Sequence, residues 1–282
     1  MPFKLDQQRL QHEKALKFHA LHHQATALIL PNAWDALSAK IFEMNGAEAI
    51  GTTSAGIAAI LGYKDGQKVP KDQLLMMLEH IVQSVAVPVS IDLEAGYGNT
   101  PFEVAQMARN ILEIGAVGIN LEDADPHCPG RLYDISEQIE KIAAIKEVAA
   151  RMQIPLFLNA RTDIYWLNLL SSHQQLEKTI ERLNEYIKAG ADGVFVPGVT
   201  ELRTIAAIAK AMNKPLNVLG GSWIDDVMAL KTFGVSRVSI GSSMIRASTA
   251  YVRQAANQLL RQHNFKCLHS TLSYEEFNSF FV

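Results

Sequence analysis

The chain has 282 residues, of which 48% are hydrophobic and 20% are charged, so it can bury a large core and is not a disordered protein. Its 26 Lys and Arg against 29 Asp and Glu give a net charge of −3, and no basic stretch indicates a nucleic-acid partner. Two distant cysteines, Cys128 and Cys267, predict neither a disulfide framework nor a thiolate metal site. The polar N-terminus and the lack of a long apolar run predict a cytoplasmic protein that is neither exported nor membrane-spanning.

Short apolar runs of strand type alternate with longer stretches of helical spacing along the chain. A helix at about residues 5–24 comes first, and the predicted strands then follow in this order: Ala27–Leu30, Ala49–Ser54, Pro88–Glu94, Gly118–Asp123, Pro155–Thr162, Gly193–Pro197, Pro215–Leu219 and Arg237–Gly241. Each strand is followed by an amphipathic segment, and the last of these is predicted as a helix over Ser243–Gln262.

Strand–helix units repeated in this way predict an α/β fold, a (β/α)8 TIM barrel with an extra N-terminal helix and a C-terminal helical tail. We expect residues 1–282 to form one domain, with the barrel at about residues 27–262 and the tail at residues 263–282. A doubly wound open sheet is the main alternative, but no G-x-G-x-x-G follows the first strand. Thr100 and Pro101 predict a helix start after the third strand. His19, His22 and His23 of the N-terminal helix are expected on a solvated face rather than as metal ligands.

Acidic residues come at the ends of two successive predicted strands, where barrel enzymes carry their chemistry. Asp92 and Glu94 are two residues apart in the third strand, so both side chains are expected on one face. Asn120 and Glu122 share a face of the fourth strand in the same way. Carboxylates crowded at one barrel mouth repel each other unless a cation neutralises them, and oxygen ligands suit Mg2+ or Mn2+. The sequence therefore predicts a bound divalent ion, with Asp92 as the inner ligand.

Arg161 lies between Asn159 and Asp163 at the end of the fifth strand. Its guanidinium is predicted to clamp a carboxylate or phosphonate group of the substrate. The alternative is that Arg161 and the acids form a buried ion-pair network without catalytic use.

Two loop segments complete the predicted site. The run Thr52, Thr53 and Ser54 ends the second strand beside Gly56, and such small residues let backbone N–H groups approach a carboxylate closely. Asp65 follows in a loop bounded by glycines, where its side chain could reach the metal or be solvated. We expect the first run to bind substrate.

In sequence order, these motifs resemble those of the isocitrate lyase and phosphoenolpyruvate mutase superfamily over about residues 27–250. The resemblance implies a Mg2+-dependent barrel that acts on 2-oxo-acid-like substrates, in a tetramer or a dimer whose eighth helix is exchanged between subunits.

By position, Asp92 matches the direct metal ligand. Asp65, Glu94 and Glu122 match acids that hold metal-bound waters, and Arg161 matches the arginine that stabilises an enolate. Thr52, Thr53 and Ser54 match the carboxylate cradle. Arg161, Asp65 and Glu122 are the candidate catalytic residues, and Asn120 joins the substrate-binding set.

The sequence also departs from this superfamily. The lyases carry a Lys-x-Cys-Gly-His loop after the fourth strand, whereas this chain has only His127 and Cys128 in a short segment between Pro126 and Pro129. A turn is the favoured interpretation of that segment, and proton transfer by its His and Cys is the alternative. Gly198 occupies the position of a lyase glutamate, and no residue matches the loop lysine and asparagine of the phosphonomutases.

The first functional hypothesis is a lyase of the 2-methylisocitrate lyase kind, which cleaves a carbon–carbon bond in a 2-hydroxy or 2-oxo acid through an enolate. Phosphonomutase, phosphonopyruvate hydrolase and oxaloacetate decarboxylase activities would use the same groups. A metal-free barrel that binds phosphate at Gly220–Ser222 and Gly241–Ser243 is a second class. A binder of small acids without catalysis is a third.

Overall fold

The computed structural model describes residues 2–269 and 272–281. Parallel strands form one sheet around a central axis, in the order β1-β9-β8-β7-β6-β5-β4-β3-β2. The strands are β1 Leu28–Leu30, β2 Asn32–Ala33, β3 Ile50–Thr52, β4 Val89–Asp92, β5 Gly118–Glu122, β6 Phe157–Arg161, β7 Gly193–Val196, β8 Leu216–Leu219 and β9 Val235–Ser239.

The first barrel strand is broken at Pro31 into β1 and β2. The first piece pairs with β9, from Leu28 opposite Arg237 to Leu30 opposite Ser239, and the second pairs with β3. Asn32 joins the two edges, because Oδ1 accepts hydrogen bonds from Ile240 N at 2.8 Å and Gly241 N at 2.9 Å while Nδ2 donates to Thr52 O at 2.7 Å. We call this place the closing junction. The predicted (β/α)8 barrel is therefore confirmed.

Helices surround the barrel and connect consecutive strands. Thr100 caps α5 by accepting a hydrogen bond from Glu103 N at 3.2 Å, and Pro101 follows it, as predicted. The helices are α1 Pro2–Leu21, α2 Ala36–Met44, α3 Ser54–Ile60, α4 Lys71–Gln83, α5 Pro101–Glu113, α6 Ile135–Arg151, α7 Ile164–Leu167, α8 Ser172–Lys188, α9 Leu202–Ala211, α10 Val227–Leu230, α11 Ser243–Gln262 and α12 Tyr274–Asn278, with 3-10 helices at Lys231–Phe233 and Phe265–Leu268.

The structure adds detail to the sequence prediction in the connections and in the tail. The connection after β8 contains only the four-residue helix α10 and a 3-10 turn. Two short helices, α3 and α7, are inserted at the carboxyl ends of β3 and β6. The tail consists of a 3-10 helix and α12, while its residues 270, 271 and 282 lie outside the described residues. None of the described helices combines the length and apolarity needed to cross a membrane.

Apolar side chains on the outer face of the strands pack against the helices. Ile91, Ile119 and Leu158 are fully buried in this layer, as are Leu78 and Ile111 of the helices. Burial of each such side chain stabilises the fold by about 1.5–3 kcal/mol, so this layer fixes the strands that carry the site.

The N-terminal helix closes the amino-terminal end of the barrel. Phe18 packs edge-on against Phe157 with ring centroids 5.5 Å apart, and His22 stacks on the same ring at 3.9 Å. The expectation of a solvated His22 is wrong, since its side chain is buried and its Nδ1 is 2.7 Å from Phe18 O. Burial, and then the charge of Arg237, lower the pKa of His22 to about 3.

Candidate active site

A cavity of about 110 Å3 lies at the carboxyl ends of the strands, where barrel enzymes bind substrates. Its walls carry acidic, cationic, hydroxyl and aromatic side chains. A larger groove of about 680 Å3 lies beside α1 and holds none of the predicted site residues. The residues that line the small cavity are Asn32, Thr53, Ser54, Ala55, Asp65, Asp92, Asn120, Arg161, Trp166, Phe195, Pro197, Leu219, Ser239, Gly241 and Ser242.

Asp92 is the last residue of β4 and is fixed by the end of β3. Its backbone N–H donates to Thr52 Oγ1 at 2.9 Å, and its Oδ2 accepts hydrogen bonds from Ser54 N at 3.2 Å and Ser54 Oγ at 2.8 Å. Both hydrogen bonds to the carboxylate from described residues end on Oδ2, so Oδ1 is available to a ligand. Thr52 therefore supports Asp92 from outside the cavity lining, while Thr53 and Ser54 belong to it.

Thr53 and Ser54 lie where β3 passes into α3. The side chain of Thr53 caps this helix by accepting from Gly56 N at 3.4 Å. Gly56 is required here, because a Cβ would lie 2.6 Å from Thr53 Cγ2 and 2.9 Å from Trp34 Cβ. The small residues of this run thus let the chain turn into α3 at the wall of the cavity, where the N–H groups of Thr53 and Ser54 donate to Ala33 O and Asp92 Oδ2.

Asp65 shares the cavity with Asp92, although Asp92 ends β4 and Asp65 lies in the loop between α3 and α4. Burial raises the pKa of Asp65, and the negative charge of Asp92 raises it further. Removal of two neighbouring carboxylates from water is unfavourable without a positive partner. Their pairing therefore favours a cation.

Glu94 does not lie where strand periodicity predicts it. The strand ends at Asp92, and Glu94 has a left-handed backbone with φ of 51°, which turns its side chain away from the cavity lining. Its Oε2 accepts from Gln67 N at 2.6 Å, and its Oε1 accepts from Tyr97 Oη at 2.9 Å. Burial, with Asp65 and Asp92, raises the pKa of Glu94 to about 7. Glu94 thereby ties the loop that carries Asp65 to the turn after β4.

Arg161 faces the acids from the end of β6. Its Nε and Nη2 donate to the two oxygens of Asp163 at 2.6 and 2.9 Å, and its Nη1 is 2.9 Å from Glu122 Oε2. The ion-pair network that was the alternative to a substrate clamp is thus present, and it uses both Nε and Nη2 of the guanidinium. Burial lowers the pKa of Arg161, but Asp163 and Glu122 raise it more strongly, so the side chain stays charged.

Glu122 pairs with Arg161 and is not among the cavity-lining residues. Its side chain is 15% exposed. Burial raises its pKa well above the usual value, against the effect of Arg161, and Asp163 and Asp92 add to the increase. Asn120 does line the cavity and accepts from Asn159 Nδ2 at 2.9 Å.

The loop after β5 stays outside the cavity. Asp125 holds it in a compact turn by accepting from His127 N and from Arg131, and His127 Nε2 lies 2.9 Å from Asn99 Oδ1. Cys128 is exposed. The turn interpretation agrees with this geometry, and no Lys, His or Cys lines the cavity among the described residues.

Aromatic residues form a wall that the sequence analysis missed. Trp166 of α7 lines the cavity together with Phe195, Pro197 and Leu219. Gly198 follows, with φ of 86°, and a Cβ there would lie 3.0 Å from Trp166 N. The backbone of α7 therefore lies against Gly198, and a side chain at this position would have to displace it. Apart from Gly198, the sequence analysis singled out none of these residues.

A hard divalent cation fits the oxygen donors that are present. Among the described residues, no three Asp, Glu, His or Cys side chains converge on one point as direct ligands. Mg2+ is commonly held by one or two carboxylates and several waters, which matches a cavity with Asp92 and Asp65 in its wall and free Asp92 Oδ1. The donor chemistry and the excess of acid both suit such an ion.

Together, the barrel and this polar cavity define an enzyme of the TIM-barrel class with its site at the carboxyl ends of the strands. Residues 18–260 match the family model for phosphoenolpyruvate phosphomutase. The chain belongs to this family, within the phosphoenolpyruvate mutase and isocitrate lyase superfamily, whose members are lyases and mutases.

Curated relatives include an uncharacterized protein of Mycobacterium tuberculosis, 36% identical over 229 residues that cover 80% of this chain and 82% of the relative. The 2-methylisocitrate lyase of Halalkalibacterium halodurans is 27% identical over 99% of this chain and 96% of its own. Among solved structures, a Burkholderia cenocepacia protein assigned as a lyase/mutase has a TM-score of 0.89 and 35% identity, with 96% of each chain covered. A phosphonopyruvate hydrolase complex with oxalate and Mg2+ shares the fold, with a TM-score of 0.83, 22% identity and coverage of 95% of this chain and 94% of that one.

Proposed function

We propose that the chain is a Mg2+- or Mn2+-dependent lyase that cleaves a carbon–carbon bond in a small 2-hydroxy or 2-oxo acid through an enolate, as a 2-methylisocitrate lyase does. The observation that carries this proposal is the shared cavity in which Asp65 and Asp92 face Arg161. A wall with acids on one side and a permanent cation on the other suits a substrate whose oxygens gain negative charge during the reaction. The 2-methylisocitrate lyase relative of nearly equal length supports it.

We assign roles to the predicted residues on the same basis. Asp92 is the direct metal ligand, and Asp65 acts near it through water. Glu94 and Glu122 support these groups, because Glu94 anchors the Asp65 loop and Glu122 neutralises part of the charge of Arg161. The metal, when bound, supplies positive charge to the oxygens of a 2-oxo acid.

The remaining residues orient the substrate. Thr53 offers its hydroxyl hydrogen to a carboxylate at the wall of the cavity, whereas the backbone N–H and the hydroxyl of Ser54 already donate to Asp92 Oδ2. Arg161 stabilises negative charge that develops on the substrate oxygen, and Asn120 adds an amide from the floor. Thr52 acts indirectly by holding the backbone of Asp92.

Oxaloacetate decarboxylation is a second candidate, and one observation favours it. Cleavage of a 2-hydroxy acid needs a base for the hydroxyl proton, yet no Lys, His or Cys of the described chain lines the cavity. Loss of the C4 carboxylate of oxaloacetate, which is β to the 2-oxo group, breaks the C3–C4 bond and leaves the enolate of pyruvate without that base. Phosphonomutase and phosphonopyruvate hydrolase activities use the same groups, and the hydrolase complex that contains Mg2+ and oxalate keeps them among the alternatives.

The test is a substrate panel at saturating Mg2+ that contains 2-methylisocitrate, 2,3-dimethylmalate, oxaloacetate and phosphonopyruvate, with oxo-acid product as the readout. Asp92→Ala and Arg161→Ala should each lower turnover on the order of 10² or more, because each removes transition-state charge stabilisation. Arg109→Ala, which breaks an exposed pair with Glu113, is the control and should keep full activity. Activity that survives both site variants would refute the assignment.

We further propose that the chain works as one barrel domain in a cytoplasmic homo-oligomer, a tetramer or a dimer that exchanges α11. Of the twenty residues of this helix only Ile245 is buried, although it carries apolar side chains at helical spacing. A helix that covers so little of its own barrel suits a partner subunit.

A further inference from the structure

The interior of the barrel beneath the cavity is polar. Asn120, Asn159, Asn217 and Arg237 are buried there, each on a different strand. Barrels of this type usually fill the corresponding layers with Val, Ile and Leu. Amides and a guanidinium in this place therefore need an explanation beyond packing.

Arg237 is 1% exposed and is only partly satisfied. Its Nη2 donates to Asn120 Oδ1 at 3.0 Å, whereas Nε and Nη1 have no hydrogen-bond partner among the described residues. No described Asp or Glu lies within 4.0 Å of the guanidinium to form an ion pair. Burial lowers the pKa of Arg237 to about 9, which leaves the side chain positive at neutral pH. Burial of a charge without an ion-pair partner is unfavourable, so the presence of Arg237 at this position indicates a role other than packing.

The charge acts on the floor of the cavity. Asn120, the one hydrogen-bond partner that Arg237 has in the described part of the chain, lines the cavity beside Asp92. Asp92 is also the acid whose charge raises the pKa of Arg237 against the effect of burial. Because Arg237 is buried, this interaction is screened less by solvent and salt than one between two surface charges.

We propose that Arg237 is a positioning residue that sets the charge balance of the site. It holds Asn120 in the floor, weakens the attraction of the acids for a divalent cation, and strengthens the attraction of the cavity for an anionic substrate. This inference rests on the proposed function, since it concerns the same acids and the same cation. It adds a residue from the last strand, outside every motif that resembles the superfamily.

Removal of the Arg237 charge should change the affinities for Mg2+ and for an anionic substrate in opposite directions. A positive charge beneath the cavity repels Mg2+ and attracts a carboxylate, so its removal should tighten the first and loosen the second. At an effective dielectric constant of about 20, a unit charge roughly 10 Å from a divalent ion changes a binding constant by at least about tenfold. A packing defect would weaken both equilibria together.

The experiment is titration calorimetry on Arg237→Met, which keeps an unbranched side chain and removes the charge. Mg2+ is titrated into the metal-free protein, and oxalate is then titrated into protein at saturating Mg2+. We expect the Mg2+ dissociation constant to fall and the oxalate dissociation constant to rise, each by at least about tenfold. Thermal unfolding verifies that the variant folds, and Arg237→Gln, which retains an amide donor toward Asn120, replaces it if Arg237→Met does not fold.

Two further variants control the result. Arg237→Lys keeps the charge and should restore both constants to within about threefold of wild type. Lys141→Met removes another buried cation. Lys141 lies on α6, with its Nζ 3.3 Å from the centre of the Tyr133 ring. The acids that raise the pKa of Lys141 do not include Asp92. This matched control should leave both dissociation constants unchanged.

The outcomes separate this inference from the proposed function. Wild-type protein that binds neither Mg2+ nor oxalate overturns both. Wild-type binding, combined with constants that move in the same direction or not at all in Arg237→Met, overturns only the role of Arg237. Failure of Arg237→Lys to restore the constants also contradicts it.

Discussion

Arg161 is held by acids on two sides. These acids determine how strongly its positive charge attracts a substrate. Asp163 takes both Nε and Nη2, and Glu122 takes Nη1. Asp163 is itself fixed, because its backbone N–H donates to the buried Asp123 at 2.9 Å. The bidentate pair therefore orients the guanidinium plane more than it neutralises the site.

Replacement of Asp163 by Asn should remove this orientation while leaving the metal acids intact. We expect Asp163→Asn to lower kcat by roughly 10- to 100-fold, because small displacements of catalytic groups have effects of that size, and to change Mg2+ affinity little. Steady-state kinetics and calorimetry give the two values. Asp192→Asn, which breaks a pair with Lys146 at the other end of the barrel, should retain kcat. An unchanged kcat in Asp163→Asn would show that Arg161 needs no such support.

Among the elements, α7 is the one that shapes the apolar wall. The short helix rests against Gly198, whose φ of 86° and lack of a side chain permit the close approach of Trp166. A side chain at this position would push α7 out of place and change the cavity wall.

Gly198→Ala should therefore destabilise the protein by about 1–3 kcal/mol and raise KM for the substrate that the panel identifies. Gly46→Ala is a matched control, since Gly46 has a similar φ of 89° but no atom within 4 Å of the place where a Cβ would lie. The control variant experiences the backbone strain alone and should keep the wild-type KM. Chemical denaturation and initial-rate kinetics provide the comparison, and equal KM values in both variants would contradict the role of α7.

The N-terminal helix makes the stability depend on pH through His22. The unfolded chain binds a proton on this ring with a pKa near 6.5, whereas the folded protein binds it only near 3. Neutral His22 therefore makes its full contribution to the free energy of unfolding above pH 6.5. This contribution is lost as the pH falls toward 3.

Between roughly pH 7 and pH 5, wild-type protein should lose about 2 kcal/mol more stability than His22→Phe, which keeps the ring stacked on Phe157 but cannot titrate. Urea unfolding of both proteins at each pH measures the difference. His23→Phe provides the control at an exposed neighbouring position. Parallel pH profiles for wild type and His22→Phe would refute the assignment.

The order of strands and helices could be predicted from apolar periodicity. The positions of Asp92 and Arg161 at strand ends and of Asn120 within a strand followed from that order. The turn at Glu94 could not, because nothing in the local sequence shows that a non-glycine residue takes φ of 51° before Ala95 and Gly96. The partners of Glu94 and Arg237 are set by long-range packing, which periodicity does not report. Helix α7 was missed because four residues are too few for a periodic signal.

At the scale of the whole molecule, α11 presents apolar side chains to solvent. Tyr251, Val252 and Leu260 are 60%, 62% and 78% exposed. If α11 covers a partner barrel, Val252→Glu should reduce the molar mass measured by light scattering after size-exclusion chromatography, because a charge would be buried at the interface. Phe102→Glu is the control, since Phe102 is 70% exposed on α5. A wild-type monomer would contradict the proposed assembly.

At the closing junction, closure of the barrel depends on the side chain of Asn32. The two edges of the barrel meet through the amide of Asn32, which also lines the cavity. Any molecule in the cavity that donates a hydrogen bond to Asn32 Oδ1 competes for this atom with the backbone N–H groups of Ile240 and Gly241. Hydrogen–deuterium exchange at these two positions should therefore register occupancy of the cavity, so that the closure of the barrel itself becomes a reporter of its contents.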